Sequence, residues 1–102
     1  MNEDIPASWV KLKCVLLERV AQDAGLKVTR DETFVLAIEC GRSILEVDHT
    51  GGKSLRYVMK FRPNRDADLD VRRRLSLDEQ ADPAAVATEI IDLFLRHARP
   101  PD

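Results

Sequence analysis

The sequence predicts an α+β domain of two layers: an N-terminal helix, an antiparallel meander of four to five strands and a C-terminal helix, with both helices on one sheet face. Three observations lead there. Both ends of the chain carry apolar residues at helical spacing. The stretch between them, from Gly25 to Leu77, changes to a period of two broken by turn residues. And 102 residues suit a single domain with one core.

The first helix is expected from Pro6 to Ala24. Pro6 suits an early helical position, where a missing N–H costs nothing, and Gly25 is read as a left-handed stop. Around the helical wheel Trp9, Leu12, Leu16, Val20, Val10, Leu17, Ala21 and Ala24 cover nearly half the cylinder, with Lys11, Glu18 and Gln22 opposite. So wide an arc calls for more than one packing neighbour, or for a second copy of the chain.

Leu26–Arg30 is expected to form a short strand ending in a turn at Asp31-Glu32. Thr33–Cys40 is a stronger strand, rich in Phe, Val and Ile. Gly41-Arg42 makes a tight turn into Ser43–Asp48, and His49-Thr50-Gly51-Gly52 forms the next one. Lys53–Phe61 alternates cleanly, Leu55, Tyr57, Met59 and Phe61 against Ser54, Arg56, Val58 and Lys60. After a loop over Arg62–Ala67, Leu69–Leu77 alternates again. Asp82-Pro83 announces the last helix as a cap followed by Pro at the first helical position. Val86, Ile90, Ile91, Leu93, Phe94, Leu95 and Ala98 line its apolar side. Residues 98–102 are expected to be a tail, since Pro100-Pro101 cannot continue a helix.

Composition narrows the function. Hydrophobic residues at 44% and charged residues at 33% are those of an ordinary globular protein. A net charge of −2 gives no general attraction to nucleic acid or anionic lipid. The start, Met1-Asn2-Glu3-Asp4, is acidic where a secretory signal would be basic, and no stretch is apolar enough to span a bilayer. A cytoplasmic protein without membrane attachment is the expectation. Cys14 and Cys40 lie among apolar neighbours and are expected to be buried, reduced thiols.

Several motifs fail on inspection. His49-Thr50-Gly51-Gly52-Lys53-Ser54 ends like a phosphate-binding loop, but the required first glycine is Val47 and no helix follows. Asp66-Ala67-Asp68-Leu69-Asp70 has the alternating carboxylates of a calcium loop, yet Val71 stands where glycine is needed and Leu77 where a bidentate Glu is needed. His49 and His97 have no second histidine at metal-ligand spacing; His97, with Arg96 and Arg99, offsets the helix dipole. The acid pairs Asp31-Glu32 and Asp78-Glu79 fall in expected turns, without an apolar pocket to separate their pKa values. No serine sits in a nucleophile elbow. The sequence therefore predicts no enzyme, no cofactor and no metal.

What remains is the sheet face turned away from the helices: Val35, Ala37, Glu39, Ile44, Glu46, Arg56, Val58, Lys60, Arg72 and Arg74, read as acids on the earlier strands and bases on the later ones. The favoured reading is a non-catalytic protein–protein interaction module (an adaptor, a chaperone-like binder, or an inhibitor or immunity-type protein) that pairs with itself as a homodimer. Its contact residues are Val35, Ile44, Val58, Arg56 and Arg72.

The alternative is nucleic-acid binding through Arg56, Lys60, Arg62, Arg72 and Arg74. Between Gly52 and Ser76 eight bases face three acids, a net +5 that leaves −7 elsewhere. Against it, no aromatic is expected on that face to stack bases. In outline the chain resembles the double-stranded RNA-binding domain. Where that domain presents lysines at the start of its last helix, this chain has Asp82-Pro83-Ala84-Ala85-Val86, and the likeness ends there. A small-ligand pocket between sheet and helices is a third, weaker option.

Overall fold

The computed structural model describes residues 5–51, 54–62, 69–77 and 81–98, Leu69 by its backbone alone. The order is α1 (Ala7–Ala21), β1 (Leu26–Glu32), β2 (Val35–Cys40), β3 (Ser43–Gly51), β4 (Ser54–Phe61), β5 (Leu69–Ser76) and α2 (Pro83–Ala98). The five strands form one antiparallel meander in sequence order. Helix α1 packs on α2 and on β1, and α2 packs on β4. The expected two-layer α+β architecture is the one found.

The core lies between sheet and helices. Leu36, Ile38, Leu45, Val47, Leu55, Tyr57, Met59 and Phe61 from the sheet meet Trp9, Leu12 and Leu16 of α1 and Ala87, Ile90, Ile91 and Phe94 of α2. Phe61 stacks on Phe94 with ring centroids 5.7 Å apart and also meets the His97 ring at 5.2 Å. Burying an aliphatic side chain of this kind is worth roughly 1.5–3 kcal/mol, so this layer is what holds the helices down. At the rim Arg19 of α1 bridges to Asp92 of α2 at 2.9 Å. At the opposite end of α1 the indole N–H of Trp9 donates to the Thr33 carbonyl at 2.8 Å, tying the helix to the β1–β2 hairpin. The His49 ring lies against Trp9 and Phe34, at 5.9 and 5.5 Å.

Local chemistry accounts for the boundaries. Asp82 caps α2: its carboxylate accepts from the Ala84 N–H at 3.0 Å, and its carbonyl accepts the first helical bond from Val86. Pro83 occupies the first helical position, as expected. Gly41, at φ +61°, is the first residue of the two-residue β2–β3 turn, the place where a type II′ hairpin needs glycine.

Five expectations are corrected. Helix α1 stops at Ala21, and Gly25 is not left-handed; the Gln22 and Asp23 N–H groups close the last turn on Glu18 and Val20, and the Asp23 carboxylate accepts from the Gly25 N–H at 3.0 Å in the turn that follows. The β1–β2 turn falls on Thr33-Phe34 rather than Asp31-Glu32, because β1 runs on to Glu32. Strand β3 extends to Gly51, taking in His49 and Thr50. Ala98 belongs to α2 rather than to the tail. Cys14 is exposed, on the flank of α1 that neither sheet nor α2 covers, whereas Cys40 is buried as expected. Readings placed on Met1–Asp4, Gly52, Lys53, the loop over 63–68, Asp78, Glu79 and residues 99–102 lie outside the described residues. The calcium-like run beginning at Asp66 falls mostly among them.

Candidate interaction face

Strand register fixes which side chains share the face away from the helices. Facing residues form three rows that cross all five strands. The first is Lys27, Glu39, Ile44, Lys60 and Asp70; the second Arg30, Ala37, Glu46, Val58 and Arg72; the third Glu32, Val35, Asp48, Arg56 and Arg74. Every outward residue expected from the sequence lies here, including the favoured contact set Val35, Ile44, Val58, Arg56 and Arg72.

Sequence reasoning missed what β1 contributes. The strand slips register between Val28 and Arg30, a β-bulge at Thr29. Without it, Arg30 and Glu32 would point to the helix side. With it they join the outer face, and Asp31 turns inward to Lys13 of α1, whose ammonium lies 2.5 Å from the carboxylate and from the Glu32 carbonyl. The bulged Thr29 hydroxyl donates to the Ala37 carbonyl at 3.4 Å. The only signal in the sequence was a failing alternation over Lys27–Glu32, which strand periodicity cannot distinguish from an early turn.

The charge layout changes accordingly. Lys27 and Arg30 on β1, and Arg56, Lys60, Arg72 and Arg74 on β4 and β5, flank a band of Glu39, Glu46 and Asp48 on β2 and β3, with one acid on each edge strand, Glu32 and Asp70. Acids on early strands and bases on late ones is thus too simple; both flanks are basic and the middle is acidic. The basic set read for nucleic acid is diluted by this. Arg56 holds Asp48 at 2.8 Å, and Arg62, beyond the end of β4, reaches Asp70 at 3.0 Å and the Phe61 carbonyl at 2.8 Å. Tyr57 and Phe61 point into the core, and none of the face residues is aromatic.

At the centre of the face Ile44, Glu46, Arg56, Val58, Lys60 and Arg72 surround a shallow concavity of about 310 Å³. Ile44 is 38% exposed, while Val58 and Val35 are half-buried between charged neighbours and Ala37 is covered by them. The Asp48 carboxylate is largely shielded, its side chain 13% exposed. One oxygen takes the Arg56 bond and the other, Oδ1, finds no hydrogen-bond partner among the described residues. A shielded carboxylate oxygen without a donor is costly, by about 1–3 kcal/mol. On β1, hydrogen bonding to Arg30 holds the Glu32 carboxyl below the usual carboxylate range.

Two other surface hollows are of different character. One of about 270 Å³ lies along α1 and the β1–β2 turn, between Ile5, Val10, Cys14, Leu17 and the Lys13–Asp31 pair. The other, about 410 Å³, opens among Gly25, Gly41, Arg42, Arg62 and Ala98 at the opposite end of the sheet. Among the described residues no three His, Cys, Asp or Glu side chains cluster as metal ligands, and no helix is long and apolar enough to cross a membrane. Comparison with protein-family models, with curated proteins and with solved structures finds no match.

Proposed function

We propose that this chain is a non-catalytic protein–protein interaction module whose binding surface is the helix-free face of its sheet, and that it uses this face to form a homodimer. The observation that carries the reading is the concavity centred on Val58 and Ile44. Apolar side chains sit at the middle of a sheet face, and interleaved opposite charges surround them. That is the anatomy of an interface with an apolar centre and a polar rim. Val35, Ile44 and Val58 supply the apolar centre. Arg56 and Arg72, on neighbouring strands, frame that centre and limit the orientations in which a second surface can lie on it. The interleaving of acids with bases supports a protein partner over nucleic acid, which favours an uninterrupted basic track. Cytoplasmic residence and the absence of an enzymatic role belong to this same reading.

The test is light scattering coupled to size-exclusion chromatography on wild type and on Val58→Glu. The expected wild-type mass is about twice the 11.6 kDa of one chain, and the variant should elute as a single chain with an unchanged circular dichroism spectrum. A wild type that remains one chain at high concentration removes the homodimer. A dimer indifferent to Val58→Glu removes this face from it.

A further inference from the structure

From the rows of the outer face we infer the geometry of the dimer: two sheets face each other across a twofold axis running along β3, so that β2 lies over the partner's β4 and β1 over the partner's β5. This rests on the outer face being the interaction surface, and it specifies how a second copy fits there.

The axis follows from the register. A twofold along the middle strand covers all five strands of both copies and sends each row onto itself in reverse order. In the first row Lys27 then meets Asp70, Glu39 meets Lys60, and Ile44, the exposed apolar residue of the row, meets its own copy on the axis. In the third row Glu32 meets Arg74, and Arg56 comes down over Val35. The two Asp48 side chains meet on the axis, each already paired with the Arg56 of its own chain at 2.8 Å. In the second row Val58 comes over the partner's Ala37, which is buried among its neighbours. The like-charged meetings, Arg30 with Arg72 and Glu46 and Asp48 each with itself, are the cost of this axis.

The competing axis, in the sheet plane but across the strands, reverses each strand onto its own copy. It keeps opposite charges together at the two edge strands, Lys27 with Glu32 and Asp70 with Arg74. Elsewhere it sets Lys60 against Arg56, leaves Ile44 against Asp48, and puts every residue of the second row against itself, which joins Ala37 and Val58 to their own copies but also Arg30, Glu46 and Arg72. The axis along β3 makes three kinds of opposite-charge pair where the other makes two, and it alone brings Ile44 onto an apolar partner. Complementarity selects it.

Five strands about 4.8 Å apart and three rows about 6.8 Å apart give a face of roughly 24 by 20 Å, or about 1,000 Å² over two copies, the size of a weak, concentration-dependent interface. Twisted sheets packed in this aligned way cross at roughly 30°, which keeps the axis within about 15° of β3.

A charge-swap experiment reads this register directly. Lys60→Glu alone sets a new carboxylate against the partner's Glu39, and Glu39→Lys alone sets a new ammonium against the partner's Lys60. Each variant by itself should dimerise at least about tenfold more weakly than wild type in sedimentation equilibrium. An equimolar mixture of the two gives a heterodimer in which one of these contacts joins two native side chains and the other joins the two substituted ones, opposite in charge at both. It should recover near wild-type affinity. If wild type dimerises but the mixture is no tighter than its components, or the single variants are unaffected, this register is wrong while the interaction face stands. A wild type that is a single chain overturns both. Lys27→Glu mixed with Asp70→Lys repeats the test on the outermost pair should either central variant fail to fold.

Discussion

Tyr57 shows how the two sheet faces differ at the level of one side chain. It lies between Arg56 and Val58, both turned outward, yet its own ring is 5% exposed beneath the helices. Burial raises its phenol pKa, the Arg73 guanidinium opposes this, and Glu89 of α2 adds to it. Because the folded value stands above the unfolded one, the neutral phenol's contribution to stability is fully present below pH of about 10 and is lost as pH rises through the folded value. Tyr57 is the single tyrosine of the chain, so absorbance at 295 nm reports it alone. The titration midpoint should lie above the ordinary value of about 10; a midpoint at that value contradicts the inward placement of Tyr57. The cysteines differ in the same way: Cys40 packs into the core at the end of β2, and Cys14 sits in the open on α1. Their sequence surroundings look alike, because an apolar neighbourhood along the chain does not say which flank of a wide apolar arc is covered.

Elements bounded by their own local chemistry were legible. Asp82-Pro83 starts α2 and Gly41 turns β2 into β3, each through bonds or dihedrals that the residue itself supplies. Replacing Asp82 with Ala removes the acceptor for the Ala84 N–H. It should cost about 1 kcal/mol, a drop of roughly 4–8 °C in melting temperature followed by Trp9 fluorescence. An unchanged melting temperature would mean the cap contributes nothing. Elements decided by a neighbour were not legible. The bulge in β1 depends on what β2 and α1 offer: Ala37 receives Thr29, and Lys13 receives Asp31. The end of α1 is local too, but the glycine signal pointed past it, to Gly25, where the Asp23 carboxylate takes the N–H without a left-handed residue. The proposed face was therefore readable on β2 to β5, where alternation is unbroken. On β1, where one extra residue reverses it, it was not.

At the scale of the molecule, the helices and most of the inner sheet face cover each other, and the outer face is left with an apolar centre and interleaved charge. The proposed dimer is the arrangement that uses both. The flank of α1 carrying Ile5, Val10, Cys14 and Leu17 is a second apolar surface, and association of the chain through its helices would run through it. Methyl resonances distinguish the two directly. In a dilution series of methyl-labelled protein, Ile44, Val35 and Val58 should shift with concentration while Ile5, Val10, Leu17 and Leu75 stay fixed. Shifts confined to Ile5, Val10 and Leu17, or no shifts at all, would contradict the claim that the outer sheet face is where this protein binds its own copy.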